Sequence, residues 1–204
     1  MGSLERRARH KEALRKQILD AARELFYTQG FERVSMRGIA EKIEYSPKTL
    51  YLHFNDKTEI LFHLCEEAFQ KLKHKVEALR GTTADPESFI RLGLRAYIDF
   101  ALENPNDWKI AFLTDIRHYP YRSHEEMPRD SVAYELHETL DRAVADCIER
   151  KVFRQMDAQV ASHALWVGVH GLALVLVVDP EYRWVDREQL IDATIDILIR
   201  GLKN

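Results

Sequence analysis

SMRGIAEKIEYSPKTLYLHFNDK, residues 35–57, reads as two short helices joined by a tight turn and followed at once by a third helix start. Ser35 is an N-cap in this reading, because its hydroxyl can accept a bond from an otherwise unpaired amide of the first turn. Ile39, Ala40 and Ile43 then line one face at helical spacing, so the first helix buries one side. Glu44-Tyr45-Ser46 breaks that pattern. Pro47 suits the first position of a new helix, where its fixed φ is preset and its missing N–H would have no partner anyway. Within PKTLYLHF, Leu50 and Phe54 are four apart and face inward, which leaves Pro47, Lys48, Thr49, Tyr51, Leu52 and His53 pointing outward.

Helix, turn and a second helix with an outward set of this kind is the arrangement that enters a DNA groove. Lys48, Tyr51, Leu52 and His53 are expected to face the major groove, with Arg37 reaching in from the preceding helix. Thr49, Tyr51 and Lys57 are expected to hold phosphates, and Ser35, Ser46 and Pro47 complete the candidate DNA-binding set.

The run from Gln17 to Lys57 and on through Glu59-Ile60-Leu61 resembles the N-terminal domain of the TetR/AcrR family of bacterial transcription regulators. The resemblance is carried by LFYTQGFERVSMRGIAEKI with its Gly30-Phe31 turn, by the small Ala40, by Thr49-Leu50-Tyr51, and by the aromatic-then-NDK ending. One departure is visible. Where the family usually carries Gly in the turn this chain has Glu44, with Tyr45 where a small aliphatic is common. The resemblance implies a homodimeric repressor that binds a near-palindromic double-stranded DNA operator and is released from it by a small-molecule effector.

Outward from this stretch, the charge is divided unevenly. The whole chain of 204 residues has a net charge of −3, but residues 1–57 hold 12 Lys and Arg against 8 Asp and Glu. Only the N-terminal part suits a polyanion. Arg6, Arg7, Arg9, His10, Lys11, Arg15 and Lys16 read as a flexible basic lead-in that could reach phosphates, a solvated tail being the plain alternative. From about Glu12, Ile18, Ala21, Ala22, Leu25 and Phe26 recur at three and four, giving a first long helix that ends at Gly30. After Phe54, Asn55 or Asp56 caps a fourth helix whose apolar spacing runs from Ile60 to Leu79, too long for a three-helix core alone.

Asp85-Pro86 starts the next helix, Asn104-Pro105 stops it, and residues 107–118 form a shorter one. Residues 119–130 read as a mobile loop. Three further helices follow at 132–152, 158–178 and 187–202, of which 158–178 is apolar nearly all round and 187–202 has one apolar stripe. No strand pattern appears, so the expected fold is all-α with about nine helices. A helix-turn-helix DNA-binding domain is expected at 1–57, and a ligand-binding and dimerisation domain at 58–204. Trp166, His170 and Gly171, with FALENP at 100–105, resemble the branch of the family carrying Trp-x-x-x-His-Gly in its effector domain.

The aromatic surplus of the second part, Tyr97, Phe100, Trp108, Phe112, Tyr134 and Trp166 with His170, is the expected lining of an effector pocket for a largely hydrophobic ligand. The same set also describes an ordinary aromatic core. Leu165, Leu172, Leu190 and Ile197, on the last two helices, are the expected homodimer contacts, the alternative being that both helices are internal.

An enzyme is the rival class. Glu66-Glu67 and Glu125-Glu126 are sequence neighbours and point to different sides of a helix, unlike a facing acid–base pair. GxSxG, HExxH and phosphate-cradling glycine loops are absent from the sequence, and Cys65 and Cys147 have no zinc spacing, so no catalytic residue, metal or cofactor is expected. The apolar run 164–178 falls short of the ~20 residues that span a bilayer, and no apolar signal core leads the chain, so a cytoplasmic protein without a membrane partner is expected.

Overall fold

The computed structural model describes residues 2–114 and 126–203. Among them are nine α-helices and one 3₁₀ turn. They are α1 (Ser3–Gln29), α2 (Met36–Lys42), α3 (Pro47–Tyr51), α4 (Lys57–Ala78), α5 (Pro86–Glu103), α6 (Pro105–Leu113), α7 (Val132–Glu149), α8 (Ala158–Val178) and α9 (Arg187–Arg200). The 3₁₀ turn, Phe31–Arg33, follows α1. The expected loop at 119–130 lies mostly outside the described residues.

Helix starts are fixed by the residues the sequence offers for them. Side-chain oxygens of Ser35, Ser46, Asp85, Ser131, Asp157 and Asp186 each accept from an amide three residues on. At α4 the Asp56 carboxylate accepts from Glu59 N at 2.9 Å, while Glu59 reaches back to Asn55 N at 2.7 Å. Gly30, with φ of 80°, ends α1 in a conformation that disfavours any side chain. One expectation is corrected at the N-terminus. The basic lead-in is not an arm but the first turns of α1. From Leu4 to Phe26 the sequence has neither Gly nor Pro to stop helix propagation, and Gly2 N donates to Glu5 Oε2 at the start.

The chain folds as two compact units. The first takes the described residues up to Ala68 together with those from Asn106 to Thr114; the second takes 69–105 and 126–203. This division differs from one at 57/58, because the first three turns of α4 and nearly all of α6 belong to the first unit. Ile18, Ala22, Ile39, Ala40, Leu50, Phe54, Ile60 and Leu61 are fully buried and make its core. Arg23 ties three of its helices by pairing with Asp20, with Glu67 of α4 and with Asp107 of α6.

In the second unit α5 packs on α7, α8 and α9. Ile90, Ile98, Phe100 and Ala101 of α5, with Val144, Cys147, Leu165, Val169, Ile191 and Ile199 of the other three helices, have almost no exposed surface and make its core. α8 and α9 approach closely at Gly168, where an added Cβ would lie 2.6 Å from Leu198 Cδ2. At 21 residues α8 is long and apolar enough to cross a bilayer, yet one of its faces is the core of this unit. Burial pushes the Cys147 thiol up to about 12, and Cys65 is also buried, as befits packing residues.

Candidate nucleic-acid interface

α2 and α3 stand on the core of the first unit through Ile39, Ala40 and Leu50, and α3 turns its other side to solvent. Ser35 Oγ accepts from Gly38 N at 3.1 Å, and Ser46 Oγ accepts from Thr49 N at 3.2 Å while sharing a 2.9 Å bond with Thr49 Oγ1. These hydroxyls set the helix starts. Pro47 occupies the first turn of α3 as expected. The helix is shorter than PKTLYLHF, because after Tyr51 the chain closes in a turn with His53 N and Phe54 N both donating to Leu50 O. That turn drops Phe54 into the core and frees Asp56 to cap α4.

Lys48, Tyr51 and Leu52 are exposed, the last two to 55% and 72%. Tyr51 is the last residue of α3 and Leu52 its C-cap, so the two exposed side chains stand at the end of the helix. Arg37 is exposed too, and its guanidinium donates to Glu41 Oε1 at 2.8 Å, a contact that raises its pKa. Water screens a pair this exposed and leaves it weak, so Arg37 can leave Glu41 for a base or phosphate.

Three members of the expected set are placed differently. Thr49 and His53 are half-buried rather than outward, and the His53 backbone O accepts from Arg15 Nη1 at 3.3 Å. The His53 pKa is lowered by burial first and then by the charges of Lys11 and Arg15, which favours the neutral ring. Lys57 is half-buried, and its ammonium is engaged within the chain. Its ammonium donates to Phe31 O at 2.9 Å, Val34 O at 3.2 Å and Glu32 O at 3.4 Å, and lies 4.3 Å from the Phe31 ring centroid. Lys57 instead fastens the start of α4 to the 3₁₀ turn. A lysine at a helix start gives no sequence signal that carbonyls wait for it elsewhere in the fold.

The turn between the helices carries a strained residue. Glu44 has φ of 59°, in the left-handed region where a side chain costs about 1–2 kcal/mol and glycine does not. The family-like position for Gly is thus occupied by a residue that has to bear the glycine conformation. Glu44→Gly is expected to stabilise the chain, by up to about 1 kcal/mol once the larger unfolded-state entropy of glycine is set against the relieved strain. Denaturant midpoints of the two proteins at equal slope measure it, and an unchanged or lower midpoint for Glu44→Gly refutes it.

The residues expected to line an effector pocket are divided between the units. Tyr97, Phe100, Tyr134, Trp166 and His170 belong to the second; Trp108, fully buried, and Phe112 lie in the first with ring centroids 5.2 Å apart. Trp108 and Phe112 therefore do not join the others within one unit. In the second unit the Tyr97 hydroxyl and His170 Nδ1 share a 2.7 Å bond, and His170 stacks on Trp166 with centroids 4.9 Å apart. Burial lowers the His170 pKa, which keeps it neutral as a bonding partner. Phe100 is fully buried, while Tyr134 is only half-buried. Absent from the sequence-derived set is His137, which sets its ring edge-on to both Trp166 and His163. A separate open groove of ≈ 520 Å³ between α5 and α9 is lined by Arg91, Arg95, Asp192 and Asp196 with Leu92, Ala193 and Ile195, and by none of the predicted aromatics.

The expected homodimer contacts need correction. Leu165 and Leu172 are core residues, 1% and 9% exposed, and Leu190 is half-buried. Only Ile197, at 70%, is on the surface. The exposed apolar stripe of α8 is instead Val160, Ala164, Val167, Gly171, Val175 and Val178, recurring at three and four.

Comparison with known proteins agrees with this architecture. A family model described as "Bacterial regulatory proteins, tetR family" matches residues 18–64, and one described as "Tetracyclin repressor-like, C-terminal domain" matches residues 90–200. The chain is similar to the HTH-type transcriptional activator FasR of Mycolicibacterium smegmatis, 25% identical over 95% of this chain and 85% of that protein. It is also similar to the HTH-type transcriptional regulator TtgR of Pseudomonas putida, 26% identical over 90% of each. Among solved structures, the TetR family transcriptional regulator PfmR of Thermus thermophilus superposes with a TM-score of 0.68 at 26% identity, over 92% of this chain and 99% of that one. With the C-terminal-domain model covering more than half of the chain and the tetR-family model covering α2 and α3, the protein belongs to the TetR family of bacterial regulatory proteins and is a DNA-binding transcriptional regulator.

Proposed function

We propose that the protein is a homodimeric repressor of the bacterial cytoplasm that occupies a near-palindromic operator and is released from it by a small, largely hydrophobic effector. The observation that carries the reading is the exposed side of α3 and its C-cap, where Lys48, Tyr51 and Leu52 stand out from a helix held from behind by Leu50 and Phe54. A helix of five residues covers few base pairs, so specificity at genomic dilution requires a second copy related by a two-fold axis. Val167 and Ile197, exposed on α8 and α9, supply the faces for a four-helix contact between copies.

Release by an effector requires tighter binding to the form of the dimer that does not fit the operator than to the form that does. The cluster of Tyr97, Trp166 and His170 offers apolar surface with one polar pair, which suits a small organic ligand. α4, which begins in the first unit and ends in the second, is the element through which that difference would pass. Linkage sets a numerical condition: DNA must weaken effector binding by the factor by which effector weakens DNA binding.

The test is selection of genomic fragments on the full-length protein at moderate salt, followed by transcription of the recovered promoter in vitro. A near-palindromic site and lowered transcript in the presence of protein are expected. Raised transcript overturns repression in favour of the activator role named for FasR. Failure to select any sequence overturns the reading as a whole.

A further inference from the structure

The first turns of α1 have no role in the core of either unit. Every residue from Glu5 to Ala13 is exposed, while Leu14, Ile18 and Ala22 below them are buried. A helical stretch of this length is marginal in water by itself, and it persists here as a continuation of a helix anchored further along. Its charge is strongly one-sided: Arg6, Arg7, Arg9, Lys11, Arg15 and Lys16 against Glu5 and Glu12.

The position of that charge is specific. Arg7, Lys11 and Arg15 are spaced by four, so they stand one above another on a single face. Seven residues further on, Lys11 and Arg15 project onto Ile18 and Ala22, which are buried against the core that carries α2 and α3. The face that is apolar where α1 meets the reading unit therefore becomes basic where α1 runs past it. Arg15 marks the junction, since it donates to His53 O in the turn that closes α3 and its guanidinium lies 4.3 Å from the Phe54 ring centroid. The neighbourhood is felt at His53, whose pKa is lowered by burial first and then by the charges of Lys11 and Arg15, with Glu12 opposing them. From Arg15 to Ser3 the helix advances about 18 Å, roughly five base-pair steps of a duplex.

Resting on the proposal that α3 enters a DNA groove, we infer that the overhanging face of α1, through Arg7 and Lys11, forms a second DNA contact: a rigid clamp on backbone phosphates that flank the bases read by α3. The occupant is a polyanion of regular spacing adjoining the reading helix, which the DNA already held by α3 provides. Because the ladder is helical, its charges are positioned before binding, and ordering them costs less than ordering a tail. Contacts to phosphate add affinity and salt dependence but no base preference.

The experiment compares full-length protein with the Arg7→Gln/Lys11→Gln variant on the selected operator across a salt series. Two contacts in each of two protomers should make the plot of log K against log salt shallower by roughly three to four, and affinity at moderate salt should fall about tenfold or more. The penalty for a mismatched base should be unchanged, and hydroxyl-radical protection should be lost only at the outer edges of the footprint. An Arg7→Lys/Lys11→Arg variant, keeping charge and helix, should bind as the parent does. An Arg183→Gln/Arg187→Gln variant, which removes the same charge from exposed positions of the second unit, should leave slope and footprint alone. If the Arg7/Lys11 variant retains slope and footprint, or loses no more than the Arg183/Arg187 variant, the clamp is refuted while the role of α3 stands. If instead Tyr51→Ala binds the operator like the parent, the reading of α3 itself fails.

Discussion

Tyr51→Ala is expected to lower operator affinity by about thirtyfold or more while leaving the fold intact. The side chain is 55% exposed on α3, so removing it uncovers little core and should not shift the thermal midpoint beyond that of a neutral surface change. Its neighbour Leu52 is 72% exposed and presents an apolar tip of the kind that meets a thymine methyl. On the proposed two-fold operator each contact is made twice, so a loss of about 1–3 kcal/mol per contact doubles to about 2–6 kcal/mol, a factor of about thirty at the lower end and of about ten thousand or more at the upper. Lys48→Ala should differ in kind. An exposed lysine near the start of α3 that reads a base relaxes preference at one position, whereas one that holds phosphate weakens all sequences alike and lowers the salt slope. Titration of operator and single-mismatch duplexes at two salt concentrations separates these outcomes. Operator binding by Tyr51→Ala equal to that of the parent would show that α3 is not the reading helix.

Much of this interface is legible in the sequence because its local chemistry is short-range. Ser35, Ser46 and Pro47 announce helix starts through groups three residues away, and Leu50 with Phe54 orient α3 through a spacing of four. Residues whose partners are distant in sequence are not legible in the same way. Lys57 reads as a free cation and is held by carbonyls at 31–34. His53 reads as outward and lies half-buried beside Arg15. The N-terminal lead-in resembles an arm because its charge density is that of disordered segments, although nothing in it breaks a helix. The grouping of the aromatics fails for a related reason. Trp108 and Phe112 follow Phe100 closely in sequence, but α6 is tied to α1 through Arg23 and Asp107, which periodicity does not reveal. On α8 the all-round apolar composition gives no polar face to mark the outside. Leu165 and Leu172 are the larger side chains and the natural choice for a contact, whereas the smaller Val160, Val167 and Val178 are the exposed ones.

That inversion on α8 changes how assembly has to be tested. Val167→Glu combined with Ile197→Glu is expected to yield folded monomers that have lost about a thousandfold in operator affinity. Both positions are mostly solvent-exposed in the single chain, at 59% and 70%, so a carboxylate there costs the fold little. In a dimer they would be desolvated against the same faces of the other copy. Covering one such side chain stabilises by about 1.5–3 kcal/mol, and burying an unpaired carboxylate in its place removes that gain and adds a further penalty. A monomer reads one half-site, and its affinity should fall toward the non-specific range, about three orders of magnitude weaker than a specific dimer complex. Leu165→Glu is the contrasting change. Leu165 is 1% exposed and meets the core of the second unit, so a charge there should unfold the unit rather than separate copies. Light scattering and circular dichroism on the two variants decide between the faces. A folded dimer from Val167→Glu/Ile197→Glu would remove the α8 and α9 stripes from the interface, and a folded monomer from Leu165→Glu would restore the leucine face to it.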